Sequence, residues 1–386
     1  MGNNWKKEKV KYLRVDEIVR SISITHKFDK PKLKFLNTSD VEKGKVININ
    51  ELPTDELKGQ AKKTIKKDDI LFSEIRPKNG RYAYIDFDDT EDFVVSTKLM
   101  VLRKFAQDVD NKYFYYWLTN DAMLQTLQER AENRICSFPQ ITFDLLSEYK
   151  VPIPNIDTQR RIAAILSCLD EKIALNNRIN DNLEAMAKTL YEYWFVQNRG
   201  KDWEVEKLGN LGEFKNGANY EKANTVGEKI KIVNVRNISA SSIFIGTDNL
   251  DEITLSRKEI EKYLLNENDV VIARSGIPGA TRLIENTNED IIYCGFAIRF
   301  RLRDKKLKEF IYFSLKQNEE AAKNQSGGSI MPNISQDSLK DVEIYIPDSD
   351  TLVKFQKIIR PIFALLTKNN RECATFTTLR DYLLPL

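Results

Sequence analysis

Two short stretches of this 386-residue chain carry the side chains best suited to holding a ligand: "EIRPKNGR" (74–81) and "ARSGIPGATR" (273–282). Each follows a hydrophobic run and mixes Arg with Gly and Pro. A guanidinium can donate two parallel hydrogen bonds to a guanine edge, and a glycine lets backbone come close to a phosphate. The candidates here are Arg76, Lys78, Asn79 and Arg81, then Arg274, Ser275 and Arg282. "ENRICSFPQ" (132–140) adds Arg134, Ser137 and Gln140, and "NQSGGSIMPN" (324–333) adds Ser329 and Asn333. "NGANY" (216–220) brings Asn219 and Tyr220, and "NVRN" (234–237) brings Arg236 and Asn237. These groups donate and accept hydrogen bonds, which is the chemistry of recognition. A plain hairpin turn is the alternative reading of the two Arg loops.

Bond-making chemistry has far less support. The single histidine, His26, leaves little room for a His-based triad or metal site. Cys136, Cys168, Cys294 and Cys373 have no paired spacing, which fits reduced thiols in a cytoplasm better than a disulfide frame or a zinc site. His26, Cys168 and Cys373 are expected to pack structurally. Phosphate-binding glycine loops and the acidic-Pro-Pro-aromatic signature of an adenine methyltransferase are missing from the sequence. "DELK" (55–58) lacks the upstream acidic partner of a nuclease core. No apolar run approaches 18 residues, so no membrane span is expected.

Length and composition, with 41% hydrophobic and 30% charged residues, describe a folded protein of two or more domains. The net charge is only +3; residues 1–150 hold 27 Lys/Arg against 24 Asp/Glu, and residues 201–345 hold 21 against 23. A polyanion partner would therefore require the positive charge to gather on one face. Clusters such as "AKKTIKKDD" (61–69) read first as solvated surface.

The elements that must position these loops are written twice. "FPQITFDLLSEYKVPIP" (138–154) lies against "MPNISQDSLKDVEIYIP" (331–347), and "NNR" at 176–178 meets "NNR" at 369–371 in the same register. "DDILFSEIRPKNGRYAYID" (68–86) resembles "NDVVIARSGIPGATRLIE" (268–285). In each half, β-branched and aromatic runs such as "FVVSTKLMVLRKF" and "DIIYCGFAIRFRL" predict strands, and a helix is expected around 111–132 and 304–324. Two large repeats suggest one chain imitating a dimer, with pseudo-twofold symmetry.

Each half closes on a long helix. The first, Arg160 to Phe195, contains no Gly or Pro and would form a rod of about 54 Å, longer than the 34–36 Å of a DNA turn. Its apolar spacing predicts a coiled-coil seam through Ile162, Ile165, Leu169, Ile173, Asn176, Leu183, Met186 and Leu190. The second copy places Phe355, Ile358, Ile362, Leu366, Asn369, Phe376, Leu379 and Leu383 on the equivalent stripe. Asn176 and Asn369 would face each other if their levels match, fixing the register. Pro361 should kink the second helix or mark a late start. "YEYWF" (191–195) crowds Tyr191, Tyr193, Trp194 and Phe195, more aromatic surface than one seam buries, so a partner surface is expected there.

These features together resemble the DNA-specificity subunit of type I restriction–modification systems. The most specific part is "PIPNIDTQRRIAAILSCLDEKIALNNRINDNLEAMAKTLYEYWF" (152–195), echoed by "LVKFQKIIRPIFALLTKNNRECATFTTLRDYLLPL" (352–386). The resemblance implies an α+β chain with two pseudo-twofold-related mixed α/β target-recognition domains, separated by two long antiparallel coiled-coil helices. On that reading residues 1–151 form the first recognition domain and 152–199 the central helix. Residues 200–346 form the second domain, and 347–386 the C-terminal helix. It further implies a non-catalytic subunit that reads a bipartite double-stranded DNA target and docks two methyltransferase subunits. This chain would hold no cofactor. S-adenosylmethionine would sit in the methyltransferase subunits, and ATP and Mg²⁺ in restriction/translocase subunits where a system has them. Relatives commonly run on beyond the point where this chain ends, at "DYLLPL". The alternatives are a self-contained DNA-modifying or cleaving enzyme, disfavoured by one His and no acidic cluster, and a protein-binding coiled-coil scaffold, which the Arg/Gly loops argue against.

Overall fold

The computed structural model describes residues 10–57, 59, 61–133, 139–220, 227–247, 250–284, 289–325 and 334–384. The fold is α+β. The chain divides into two compact units, residues 1–172 with 376–386 and residues 173–375.

In the first unit, strands Val19–Ser21, Leu99–Lys104, Ile70–Ser73 and Tyr82–Tyr84 form an antiparallel sheet in that spatial order. A second sheet runs Asn50–Pro53, Lys32–Leu36, Phe93–Ser96, Ala61–Thr64, and its Lys32–Leu36/Phe93–Ser96 pair is parallel. The second unit builds the same plan. Gly212–Asn216, Ala297–Leu302, Asp269–Ala273 and Thr281–Ile284 lie side by side, and Phe244–Ile245 closes that sheet. Asp251–Leu255, Glu228–Val233 and Ile291–Tyr293 form a separate sheet with one parallel pair.

The run "FVVSTKLMVLRKF", expected as strand, is two strands in two different sheets, broken at Thr97–Lys98. Phe93–Ser96 is buried throughout and Leu99–Leu102 continues that burial, so no polar alternation marks the break. "DIIYCGFAIRFRL" breaks in the same way at Cys294–Phe296.

Each unit pins its strands with a buried ion pair. Arg103 donates through Nε and Nη2 to the two carboxylate oxygens of Asp69, both at 2.7 Å, and Lys66 N adds a third bond at 2.7 Å. Arg301 grips Asp269 with the same two atoms at 2.7 Å, and Asn266 N donates at 2.8 Å. Both carboxylates are fully buried. Hydrogen bonding to the aspartates pushes both guanidinium pKa values further up.

The helices that matter are α1 (Asn111–Thr119), α2 (Asp121–Glu132), α3 (Ile156–Tyr191), α4 (Lys308–Gln325) and α5 (Ser349–Leu383). The single helix expected at 111–132 is thus two. Asn120 has extended backbone, and its side chain accepts from Met123 N at 2.8 Å, capping α2. Pro361 lies inside α5, which starts at Ser349 and runs through it.

The long helices pair antiparallel. In the second unit Asn176 donates to Glu372 (3.1 Å), Asn369 to Asn180 (2.9 Å) and Asn180 to Asn370 (2.8 Å). In the first unit Arg380 pairs with Asp170 at 3.0 Å and Lys172 lies over the Phe376 ring. Partner numbers fall along α5 as they rise along α3. Asn176 and Asn369 therefore do not meet: these two sit about one turn out of level, and Asn180 takes the place expected of Asn176.

The buried line also differs from the predicted seam. Gln159, Leu166, Asn180 and Ala187 are buried and Ile173 is half-buried, a strict seven-residue spacing. Leu169 is buried beside them, and Ile162, Asn176, Leu183 and Leu190 are half-buried. Ile165 is 53% exposed and Met186 is exposed, each one residue too early in the 3-4 alternation. On α5, Phe355, Ile362, Leu366 and Asn369 are buried, and Phe376 and Leu383 are half-buried. Ile358 and Leu379 face solvent; Ile359 and Arg380 hold the inward positions.

The aromatic cluster at the end of α3 is also placed differently. Tyr191 stacks on Phe313 at 5.4 Å and shares a hydrogen bond with Ser314. A π turn over Glu192–Gln197 carries Phe195 onto Phe355, ring centroids 4.7 Å apart. Tyr191 and Phe195 are core residues of the second unit, and Trp194 packs on the same cluster. Only Tyr193 of the four stands exposed. Aromatic residues on α4 and α5 supply the burying surface that the sequence reading assigned to a partner.

Candidate nucleic-acid interface

Each unit gathers its predicted loops at one end of its sheet. In the first unit, the chain leaves Ile70–Ser73 and turns through Arg76, whose φ of +47° is strained for a residue other than glycine. The turn is held from several sides. Arg76 N donates to Pro139 O (3.1 Å), Ile141 N to Glu74 O (2.8 Å), and Gln140 Nε2 to Glu74 Oε2 (2.7 Å). Lys78 N reaches Gln128 Oε1 on α2 (3.3 Å), Pro77 is buried, and Gly80 closes the turn at φ +67°. The backbone is thus fixed while the Arg76, Lys78 and Asn79 side chains are exposed. No ion pair ties Arg76 or Lys78 among the described residues, so both charges are available to an outside anion.

A third turn joins this end. Glu74 N donates to Lys98 O at 3.1 Å, which sets the exposed Lys98 beside the Arg76 loop. Lys63 donates to Thr97 O and Leu99 O (3.0 and 2.7 Å). Burial pulls its ammonium pKa below the ordinary value; Glu74 opposes this and the nearby Lys98 charge adds to it. Arg76, Lys78 and Lys98 thus place three exposed cationic side chains at this end of a unit that is almost neutral in sum.

The second unit repeats the arrangement with different side chains. Gly276 and Gly279 have φ of +77° and +86°, and a Cβ on either would press on Val235 or Ile334 at 3.0–3.1 Å. Glycine is therefore required for the loop to lie against the 234–237 turn and the segment after residue 333. Arg274 N donates to Phe296 O (2.8 Å), Ile334 N to Arg274 O (3.1 Å), and Gly295 N to Ala218 O (2.7 Å). Arg274 and Ser275 are half-buried on this end, and Asn219 is exposed against Gly295.

Several predicted contact residues are committed to partners within the chain. Arg282 is buried, paired with Glu319 at 3.1 Å and bonded to Ser241 O and Thr281 O, because it lies on the inward face of Thr281–Ile284. Arg81 turns toward Val41 O and Glu42 at 3.4 and 3.7 Å. Asn237 caps its own turn by accepting from Asn234 N at 2.8 Å, Tyr220 donates to Asn234, and the exposed Arg236 is ion-paired to Asp251. Gln140 acts as a brace on Glu74. Arg134, Ser137, Ser329 and Asn333 lie outside the described residues.

Sequence reasoning missed Lys98 and Phe296. Both sit where a continuous β-run breaks, at "STK" and "CGF", and the small residues at those points were the available signal. His26 is structural: its ring bonds Glu91 O and Phe28 N. Among the described residues no group of His, Cys, Asp and Glu could hold a metal ion, and no helix is long and apolar enough to cross a membrane.

Each of the two units thus offers a braced loop end that turns polar or basic side chains outward, a repeated binding architecture. The family model for the "Type I restriction modification DNA specificity domain" matches residues 7–185 and again 200–372. The chain belongs to this family of non-catalytic DNA-recognition subunits. It is similar to the type I restriction enzyme HindI specificity subunit of Haemophilus influenzae, 29% identical over 96% of either chain. The MjaIX specificity subunit of Methanocaldococcus jannaschii is 25% identical over 72% of this chain and 68% of its own. The crystal structure of a type I system S subunit from M. genitalium shares the fold. Its TM-score is 0.55 at 17% identity, covering all of this chain and 96% of that one.

Proposed function

We propose that this subunit reads a bipartite double-stranded DNA target, one half-site per recognition domain, with residues 1–151 and 200–346 as those domains. Arg76, Lys78, Asn79 and Lys98 serve the first half-site; Asn219, Arg274 and Ser275 serve the second. The observation that carries this reading is the recurrence, in both units, of a braced loop end that keeps its backbone fixed and turns polar side chains outward. Such preorganisation limits the entropy lost on binding.

The relatives' names place them in type I restriction enzymes. We extend that setting to this chain: it assembles in the cytoplasm with two methyltransferase subunits, and with restriction/translocase subunits where present. S-adenosylmethionine, ATP and Mg²⁺ belong to those partners.

The test is a domain exchange. Residues 1–151 are replaced by the matching domain of a relative, and methylated sites are mapped across the genome of cells carrying the complete system. One half of the methylated sequence should change while the other persists. An unchanged target would place recognition elsewhere, and methylation or cleavage by the isolated chain would revive the enzyme alternative.

A further inference from the structure

Phe296 stands on the turn between Ile291–Tyr293 and Ala297–Leu302 with 64% of its surface exposed, an unusual position for a large apolar side chain. The turn that presents it is firmly built. Its carbonyl accepts from Arg274 N at 2.8 Å, Gly295 N donates to Ala218 O at 2.7 Å, and Ala297 N donates to Cys294 O at 2.9 Å. Cys294 and Ala297, on either side, are buried. The exposed ring thus projects from a turn braced on one side by Arg274 and on the other by Ala218, with Asn219 lying against Gly295.

The first unit presents Lys98 at the corresponding turn, with the same backbone bond, Glu74 N to Lys98 O. The two loop ends therefore share a scaffold and differ in what they project at this point. A lysine suits phosphate or a base acceptor. A phenyl ring can do neither; it suits the thymine methyl group or the face of an unstacked base.

We infer that Phe296 is a specificity-determining residue of the second half-site, contacting the apolar surface of a base. The inference rests on the proposed DNA reading and deepens it. It also assigns the two halves different recognition chemistry at equivalent places. Contact with a thymine methyl makes recognition sensitive to a single methyl group, whereas contact with a ring face makes it sensitive to loss of the base.

The experiment uses the complete methyltransferase complex and duplexes carrying the target obtained by methylome mapping. Binding is measured by fluorescence anisotropy against a scrambled duplex. Phe296→Ala should weaken binding to the target about tenfold, leaving the scrambled duplex and the thermal midpoint unchanged, while Phe296→Trp retains most affinity. In one set of duplexes each thymine of the second half-site is replaced by deoxyuridine; in another each base is removed in turn. One position should be sensitive with the wild-type complex and insensitive with Phe296→Ala: sensitivity to both deoxyuridine and base removal there identifies the methyl group, and sensitivity to base removal alone identifies the ring face. Target affinity unchanged by Phe296→Ala, or a deficit equal on target and scrambled DNA, overturns the inference. If the wild-type complex does not distinguish the two duplexes, it is the DNA-reading proposal that fails.

Discussion

At the scale of single residues, the loop ends depend on ion pairs buried beneath them. Asp269 begins the strand that leads into the Arg274 loop, and its partner Arg301 lies on the strand that starts from the Phe296 turn. The pair fixes the register of the two strands that carry the outward groups. Replacing Arg301 by Ala would leave a fully buried carboxylate with one backbone donor, at a cost of about 3 kcal/mol. That should lower the melting temperature of the second unit by roughly 6–12 °C in calorimetry. Arg301→Lys keeps the charge but loses the two-pronged geometry, so it should recover only part of the loss. Equal stability of Arg301→Ala and wild type would show that the pair is ornamental. The sequence displayed both members in both halves without revealing their pairing, because the partners are separated by a hairpin and lie on different strands. By contrast, the outward Arg76, Lys78, Asn79 and Arg274 were legible, since a glycine- and proline-rich turn after a hydrophobic strand announces an exposed loop.

At the scale of elements, the long helices were easy to find and their inward faces were not. Ile165 and Leu166 are adjacent, apolar and equally plausible from spacing alone. What decides between them is the seven-residue spacing from Gln159 to Ala187, and two of its members, Gln159 and Asn180, are polar and so do not register as hydrophobic. Gln159 earns its burial through three bonds, from Asp110 N and to the carbonyls of Asp108 and Pro154. The corrected face makes a direct prediction. Leu166→Ala should destabilise the chain by about 2–5 kcal/mol by opening a cavity, whereas Ile165→Ala should cost well under 1 kcal/mol. Urea unfolding of the two variants measures the difference, and a larger loss at Ile165 would restore the original stripe. The aromatic end of α3 was misread for a related reason: what buries Tyr191 and Phe195 comes from Phe310, Phe313 and Phe355, more than a hundred residues on.

At the scale of the whole molecule, the internal repeat was the most legible feature, and it leads to a prediction about the target itself. On the proposed reading, α3 and α5 set the gap between half-sites. Because they pair antiparallel, both must be lengthened together: duplicating residues 173–179 of α3 and 370–376 of α5 adds one heptad to each and keeps the facing levels matched. A heptad adds about 10.5 Å, close to three base pairs at 3.4 Å each. The recognised bases in each half should stay the same while the gap grows by about three base pairs, as read from methylated sites in cells. The match is not free of strain. Three base pairs turn DNA by about 100°, whereas seven helical residues come back to within about 20° of the starting direction. The lengthened subunit must twist its helices or its DNA, so methylation should be slower at the new site than the parent achieves at its own. Lengthening α3 alone should abolish methylation, because the Asn180–Asn369 bond and every level beyond it would lose its partner. A gap that stays constant when both helices grow would mean that the helices hold the domains without measuring the distance.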